Sequence, residues 1–409
     1  MKTKTAGVLF VLKSQLPGFA LIIAKQSVLN WQYAADSCKY FISKRLAIKV
    51  YSNAMIHIDG SYMEGGGQIV RTALALSALT GKPFKIDKIR HNRSRPGLKP
   101  QHLSCIDALK QLANAQVKGA RAGSDAVEFF PDRIYAAALS VDIGTAGSIT
   151  LLLQSLLLPC MFADAPVRLK IKGGTDTRWS IPMDYFTNVI LPYFTKLASI
   201  KIKNMRRGFY PKGQGFVDLS VSPRYHLNDF ATVEELFAHL FNSVSRIHLT
   251  GKPSPIGVEG ISCASSRLKG AGVAERQAEG AAKRIGSRFA VNVASYYQNT
   301  ASPGTVITLW TVSKEGQVCV GADALGERGV RAEKIGAMAA RQLLNVLNSD
   351  AAVDHHLADN LIPLLALVGG TIKTDKITGH IRSNIYVCEQ FLDVAFSIDE
   401  NQNWIAAGP

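Results

Sequence analysis

Three glycines precede a predicted helix in the run from Glu64 to Arg71, Glu-Gly-Gly-Gly-Gln-Ile-Val-Arg. Glycines leave backbone N–H groups unobstructed at a helix N-terminus, where free donors and the helix dipole favour a phosphate. Glu64 can hold a divalent cation that bridges phosphate oxygens, and Arg71 can reach the same anion. The spacing fits neither the dinucleotide-binding fingerprint nor the P-loop. A plain glycine turn is the more common origin of such a run, so the motif alone stays a candidate.

A second concentration of charge lies between residues 90 and 102. Four cations fall within ten residues: Arg90, Arg93, Arg95 and Lys99. Pro and Gly among them favour a loop, which suits phosphate binding, although a solvated basic loop would have the same composition. Gln101 and His102 open the next predicted helix, where His102 can donate a hydrogen bond to an anion.

Small residues also precede the predicted helix 148–158, in the run Asp-Ile-Gly-Thr-Ala-Gly that begins at Asp142. This N-terminus offers another notch of the size of an anion. Gln154 is a lone polar side chain among leucines. It is either a buried structural hydrogen-bonding group or a contact to a ligand.

Histidines gather towards the C-terminus. His355, His356 and Asp359 resemble metal ligands in type, but no third soft ligand lies nearby, which disfavours a metal site. His380 follows a glycine and precedes a predicted strand, 385–387. A histidine exposed on a loop can be a nucleophile or a general base, or a loop residue with a structural hydrogen bond.

The elements that must position these residues alternate between short β-rich runs and apolar-periodic helices, which indicates a mixed α/β chain. A strand, a glycine turn and a helix recur in that order, with helices predicted at 69–80, 148–158 and 357–367, so we expect a repeated module. Four strand-like runs and two Ala-rich helices lie between residues 232 and 350. The predicted division is an extension at 1–54, a large domain at 55–231 and 351–409, and an inserted small α/β domain at 232–350.

Composition limits the classes of function. The chain has 409 residues, 47% of them apolar and 19% charged, which excludes a disordered or coiled-coil protein. Its net charge of +16 favours polyanionic partners such as nucleic acid. No apolar stretch is long enough to span a bilayer, and the six cysteines form no CxxC pair, so we expect a cytoplasmic protein without a membrane partner. The basic first 54 residues are compatible with a transit peptide, but a non-native or poorly folded extension is the preferred interpretation.

The ordered set of motifs resembles the RNA 3′-terminal phosphate cyclase family, in its catalytic branch. The motifs are EGGGQ, RxRPGLxxQHL, DIGTAGSxTLLLQ, GGTDTRWSIPMDYF, HLADN and GHIRSN, and they extend from about Met55 to near the C-terminus. The resemblance implies an α/β fold of the α+β type. Its large domain would contain three β/α repeats like the enolpyruvyl transferase repeat, and its inserted domain would be thioredoxin-like.

The resemblance also implies a reaction. ATP and a divalent cation, Mg²⁺ or Mn²⁺, would convert an RNA 3′-terminal phosphate to a 2′,3′-cyclic phosphate through an enzyme-histidine-AMP intermediate, with release of pyrophosphate and AMP. The nucleophile matches His380 and the metal-side acid matches Glu64. The residues that match ATP- and phosphate-binding positions are Gln68, Arg71, Arg93, Gln101, His102, Gln154, Pro182, His356, Asp359 and Asn360. His356 stands where some members have a Tyr that stacks on adenine, and Asn360 where they have Gln, which leaves nucleotide selectivity open.

Three alternative functions remain. A non-catalytic relative that acts in ribosome assembly would lack the nucleophile, so His380, Glu64 and Arg71 disfavour it. An enolpyruvyl transferase would need neither the inserted domain nor the RxRPGLxxQHL loop. A basic α/β protein that binds RNA without turnover would share the composition, because motif matches include false positives. The sequence leaves a homodimer and the identity of the RNA open.

Overall fold

The computed structural model describes most of the chain. The described residues are 55–63, 65–135, 138–144, 146–314 and 316–408. The predicted extension 1–54 and the predicted metal-side acid Glu64 lie outside them. Within the described residues no helix is both long and apolar enough to cross a membrane.

The first unit is a four-stranded sheet with two helices. Its strands are β1 (Ile56–Asp59), β2 (Phe84–Asp87), β3 (Gln116–Lys118) and β4 (Val127–Phe130), and its helices are α1 (Gly67–Thr80) and α2 (Pro100–Leu112). The strand order is β1-β2-β4-β3, and only β1 and β2 are parallel. Every residue of α1 from Gln68 to Thr80 is buried, so this helix lies in the core of the protein.

The second unit repeats the order of strand, helix and strand. Its strands are β5 (Ala138–Asp142), β6 (Val167–Gly173), β7 (Ala198–Arg206) and β8 (Gly215–Pro223). Its helical segments are α3 (Ile149–Cys160), α4 (Met183–Tyr185), a π-helical turn (Phe186–Ile190) and α5 (Leu191–Phe194). The strand order is β5-β6-β8-β7. One face of this sheet packs apolar side chains into the core, because β6 alternates strictly between buried and exposed residues.

The chain then forms a sheet with its own apolar core. After α6 (Val233–Ser243) and β9 (Ile247–Leu249) come the strands β10 (Gly257–Ser265), β11 (Ala290–Gln298), β12 (Thr305–Val312) and β13 (Gly321–Leu325), with the helices α7 (Val273–Ile285) and α8 (Ala332–Asn348). The strand order is β11-β10-β12-β13. Residues of α7 and α8 pack on this sheet in a hydrophobic cluster that includes Ala281, Leu309 and Leu343.

The last unit returns to the first core. Its elements are α9 (His355–Val368), β14 (Gly370–Lys373), α10 (Gly379–Phe391), β15 (Ala395–Asp399) and β16 (Trp404–Gly408). The strand order is β15-β16-β14-β9. Residues of α9 and α10 share one hydrophobic cluster with residues of α1 and α3. The elements thus make a mixed α/β protein, while the division into a repeat domain and an inserted domain stays a prediction.

The predicted helices are present with small shifts at their ends. Ser148 proves to be the N-cap of α3, since its Oγ accepts the Leu151 N–H at 3.3 Å. The predicted strand 385–387 is wrong, because these residues lie within α10. Thr378 caps this helix by accepting the Ile381 N–H at 3.2 Å, so His380 lies in the first helical turn and not on a loop.

A buried ion cluster connects the second sheet with the sheet formed by β10 to β13. The guanidinium of Arg207 has no exposed area and donates to Asp176 Oδ1 at 3.0 Å and to Asp184 Oδ2 at 2.5 Å. Its Nε also donates to the hydroxyl of Tyr296, on β11, at 3.0 Å. Folding therefore buries two carboxylates and one guanidinium together. The attraction between these charges compensates for the cost of removing each of them from water.

We predict that Arg207→Met lowers the free energy of unfolding by about 3–5 kcal/mol, because Asp176 and Asp184 would remain buried without their cation. Urea unfolding measures the change. Arg206→Met is the matched control, since Arg206 is exposed at the end of β7 and its guanidinium lies over the ring of Phe216, 5.7 Å from the centroid. The control should change stability by less than about 1 kcal/mol. Equal losses in both variants would contradict the prediction.

Candidate active site

Three polar side chains on the buried helix α1 begin a continuous hydrogen-bond network. Gln68, Arg71 and Thr72 are three and four residues apart, which places them on one face of the helix. Arg71 Nη2 donates to Gln68 Oε1. Gln68 Nε2 donates to Asn384 Oδ1 at 2.9 Å, and the Thr72 hydroxyl donates to the same oxygen at 2.5 Å. The network therefore passes from α1 to α10.

Asn384 carries the network on to an acid. Its Nδ2 donates to Asp359 Oδ1 at 2.7 Å and to the Asp359 backbone oxygen at 3.1 Å. Burial raises the pKa of Asp359, while the charges of His380 and Arg71 act in the opposite direction. His380 Nδ1 lies 3.8 Å from Asp359 Oδ2, and the imidazole is 47% exposed. The network thus ends at an imidazole that a ligand can reach.

A second branch leaves Arg71 through Gln154. Arg71 Nε donates to Gln154 Oε1 at 3.2 Å, and Gln154 Nε2 donates to Asn360 Oδ1 at 2.9 Å. Asn360 Nδ2 in turn donates to the backbone oxygen of His356 at 2.8 Å. The lone polar residue among the leucines of α3 is therefore a link between α1 and α9.

His102 lies beside the glycines at the start of α1. A Cβ added at Gly67 would lie 2.1 Å from His102 Nε2, and one added at Gly66 would lie 3.6 Å from Arg93 Nη2. The Lys99 backbone N–H donates to His102 Nδ1 at 3.0 Å, so the other ring nitrogen, Nε2, carries the hydrogen and is a donor. Burial lowers the pKa of His102 to about 3, helped by neighbouring cations that include Arg71. A neutral donor and a guanidinium therefore flank this helix N-terminus.

Gln101 lies in the first turn of α2, next to His102, and contacts the N-terminus of α3. Its Nε2 donates to the Ser148 backbone oxygen at 3.0 Å. The glycine run and the DIGTAGS run consequently lie on the same side of the protein, as two adjacent helix N-termini.

His356 is an exposed residue, and its ring contacts two other rings. It meets Tyr185 edge-on at 6.1 Å between centroids and His355 at 4.2 Å. Partial desolvation and the neighbouring His355 lower the pKa of His356. Pro182, which is buried, precedes α4 and hence Tyr185.

His355 pairs with an acid. Its Nδ1 lies 3.1 Å from both carboxylate oxygens of Asp375. Across the part of the chain that the structure describes, no three His, Cys, Asp or Glu side chains are placed to hold a metal ion.

The structure sorts the predicted site residues into two neighbouring groups. One follows the network and comprises Gln68, Arg71, Gln154, His356, Asp359, Asn360 and His380; the other flanks the helix N-termini and comprises Arg93, Gln101 and His102. Pro182 belongs to neither group, and its backbone oxygen accepts the Phe186 N–H at 3.0 Å. Sequence analysis missed Asn384 and Thr72 as members of the network. The i,i+4 spacing of His380 and Asn384 was an available signal, but a strand was predicted there.

We predict that Gly67→Ala lowers the free energy of unfolding by about 1–3 kcal/mol, because the new methyl group would collide with the buried His102 ring. Gly66→Ala is the matched control, since its Cβ would meet only an ordinary contact with Arg93, and a change within about 0.5 kcal/mol is expected. Thermal or urea unfolding measures both. A neutral effect of Gly67→Ala would show that His102 does not occupy this position.

We predict a pH effect from His102. The unfolded chain binds a proton to this histidine below pH 6.5, whereas the folded chain does so only near pH 3. Stability that is present above pH 6.5 is therefore lost as the pH falls towards 3. His102→Gln removes this loss, so between pH 7 and pH 5 the variant should lose up to about 2 kcal/mol less than the unmodified protein. Urea unfolding at both pH values measures the difference, and parallel losses would refute it.

Comparison with known proteins identifies the family. A family model described as RNA 3′-terminal phosphate cyclase matches residues 62–398. The protein of that name from Pyrococcus abyssi is 45% identical over 347 residues, which cover 84% of this chain and 95% of the relative. Its namesake from Pyrococcus furiosus is 44% identical over 346 residues, covering 84% and 95% of the two chains. The one from Thermococcus onnurineus is 43% identical over 351 residues, covering 85% and 96%.

The match includes both groups of site residues, from the helix N-termini to the network that ends at His380. The relatives are matched over nearly their whole length, so the similarity is not confined to one unit of the fold. This chain belongs to the RNA 3′-terminal phosphate cyclase family of enzymes.

Proposed function

We propose that this enzyme converts an RNA 3′-terminal phosphate to a 2′,3′-cyclic phosphate in an ATP-dependent reaction through a covalent His380–AMP intermediate. The observation that carries the proposal is the half-exposed imidazole of His380, oriented beside the buried carboxylate of Asp359 at the end of the network. A nucleophile next to an orienting acid is the arrangement that covalent catalysis requires.

In the first step a ring nitrogen of His380 attacks the α-phosphorus of ATP. Because Nδ1 faces Asp359, Nε2 is the attacking atom. The new bond joins nitrogen to phosphorus, and the bond to the bridging oxygen breaks, so pyrophosphate leaves with its electron pair. The imidazole gains positive charge in this step, and the Asp359 carboxylate stabilises it at short range.

In the second step an oxygen of the RNA 3′-phosphate attacks the phosphorus of the histidine-bound AMP. The nitrogen–phosphorus bond breaks and His380 is restored. The neighbouring 2′-hydroxyl then attacks the activated 3′-phosphorus, loses its proton and expels AMP. Both reacting groups belong to one ribose, so proximity supplies much of the rate.

The phosphates meet the second group of residues. The helix N-terminus after Gly66, the guanidinium of Arg93 and the neutral Nε2–H donor of His102 offset their charge. Gln101, which donates to the Ser148 backbone oxygen at the N-terminus of α3, would also bind phosphate. Arg71 is buried and occupied by Gln68 and Gln154, so its role is to orient these two amides. His356 and Pro182 would line the base pocket, and Asn360 would position His356.

A divalent cation would be held mainly by the phosphates of the nucleotide, with Glu64 as its protein ligand. When bound, it would neutralise phosphate charge. The absence of a three-ligand cluster among the described residues fits a cation shared with the substrate.

We also propose that residues 55–231 and 351–409 form the three-repeat catalytic domain, and residues 232–350 the inserted thioredoxin-like domain. The separate apolar core around Leu309 and Leu343 supports an inserted domain, although α6 and β9, at the start of the range 232–350, pack with the core of the other three sheets.

The test is transfer of label from α-³²P-ATP to the protein. We expect acid-labile, alkali-stable label on the unmodified enzyme and at least 100-fold less on His380→Asn. His248→Asn is the matched control, because His248 is exposed on β9. Asp359→Asn should slow labelling about tenfold or more. A folded unmodified protein that binds ATP but takes no label would refute the covalent step and favour a non-catalytic RNA-binding role.

A further inference from the structure

The outer face of the sheet β5-β6-β8-β7 is open and basic. Three exposed cations follow one another on β6 at alternate positions: Arg168, Lys170 and Lys172. Three more are exposed on β7: Lys201, Lys203 and Arg206. The register places the β6 and β7 residues on the same side, because Arg168 and Lys201 both pair with Ser220, and Lys172 and Arg206 both pair with Phe216. We call these six residues and Phe216 the basic sheet face.

Acids neutralise only part of this charge. Asp218 binds Arg168 at 2.7 Å, and Asp142 binds Lys172 at 3.0 Å. In the described part of the chain, no carboxylate lies within 4.0 Å of the amino groups of Lys170, Lys201 and Lys203 or of the guanidinium of Arg206. The face therefore keeps an excess of positive charge in two rows about 10 Å apart, since β8 separates β6 from β7.

Two exposed aromatic side chains lie at one end of the basic sheet face. Trp179 is 93% exposed and Tyr210 is 74% exposed. Trp179 also has a left-handed backbone, with φ at 61°, which is uncommon for a bulky residue. A large apolar ring that is both in water and in an unfavourable conformation points to a binding role. Cations interleaved with exposed rings are typical of surfaces that bind single-stranded nucleic acid.

This end of the sheet is also the end that meets the candidate active site. Gln101 reaches the backbone of Ser148, and Ser148 bridges to Gly174, the residue that follows β6. Asp176 then bridges to Phe209, so the segments that carry Trp179 and Tyr210 lie side by side. An RNA strand that extends from the phosphate-binding helix N-termini would therefore contact the two rings first and the basic sheet face next.

We propose that Trp179, Tyr210 and the basic sheet face bind the single-stranded RNA that precedes the reactive 3′ end. The bases next to the end stack on the two rings, and the phosphates further upstream contact the lysines. Cations two residues apart on a strand are about 7 Å apart, so successive lysines can follow successive phosphates of an extended strand. This inference rests on the proposed function, because it takes the RNA end to lie at the helix N-termini.

The decisive experiment compares a long and a minimal substrate. The probes are a 15-nucleotide RNA and a dinucleotide, both ending in a 3′-phosphate. Lys201→Glu/Lys203→Glu should raise KM for the long RNA about tenfold or more. KM for the dinucleotide should change by less than twofold, because the dinucleotide is too short to reach the lysines of β7. The dependence of log KM on log salt should weaken by about 1–2 for the long RNA. Trp179→Ala should raise KM for the long RNA about tenfold.

Lys283→Glu/Lys334→Glu is the matched control, because it changes net charge equally at exposed positions on α7 and α8. An equal rise in KM for the control, or equal effects on both substrates, would overturn the proposal. Fluorescence anisotropy with labelled 15-nucleotide RNA and no ATP separates it from the proposed function. Suppose that the unmodified protein takes no label from ATP but binds this RNA, and that Lys201→Glu/Lys203→Glu and Trp179→Ala both weaken binding. The RNA-binding surface is then supported and the proposed reaction is refuted. Unchanged binding in both of these variants overturns the RNA-binding surface.

Discussion

The burial of helix α1 is the constraint on which the rest of the site depends. A helix that is covered on all sides cannot turn its polar residues to water, so Gln68, Arg71 and Thr72 must find partners inside the protein. A buried guanidinium without acceptors would cost several kcal/mol. Its acceptors come from Gln68 on the same helix and Gln154 on α3, while Gln68 and Thr72 both turn to Asn384 on α10. The buried polar side chains of α1 together therefore fix the relative positions of helices from three different sheet units.

The same constraint positions the imidazole of His380, the nucleophile of the proposed mechanism. Asn384 Oδ1 accepts hydrogen bonds from Gln68 and Thr72. This orientation of the amide points its nitrogen, Nδ2, towards Asp359. That amide holds the carboxylate from the buried side, and the imidazole of His380 stands on the exposed side. His380 and Asn384 are four residues apart on α10, so the helix itself sets the spacing between the buried and the exposed end of the network. Rigid support of this kind, on helices and not on loops, is what a covalent mechanism needs.

Much of this arrangement follows from local sequence, and some of it does not. The helices α1, α3 and α9 were predictable, because glycine or capping residues precede clear apolar runs. The roles of Gln154 and Asn360 were implied by motif, but their mutual hydrogen bond joins residues 206 positions apart, which no local pattern reveals. A strand was predicted at 385–387 because Ile, Tyr and Val favour strands. The Thr378 cap and packing against α1 override that preference. Arg207 was not singled out, since a buried cation looks like a surface one in the sequence.

The distribution of charge follows from the cost of removing ions from water. Inside the site the imidazole of His102 is neutral, with its pKa lowered to about 3, and the guanidinium of Arg71 donates to amide oxygens. Other cations lie at the surface, in the loop around Arg93 and on the basic sheet face, where water hydrates them and the cost of desolvation is small. Charges at the surface still attract a polyanion over a Debye length, and salt weakens this attraction. In the proposed mechanism, helix N-termini, the neutral donor of His102 and the guanidinium of Arg93 hold the phosphates, while the outer charges attract the RNA.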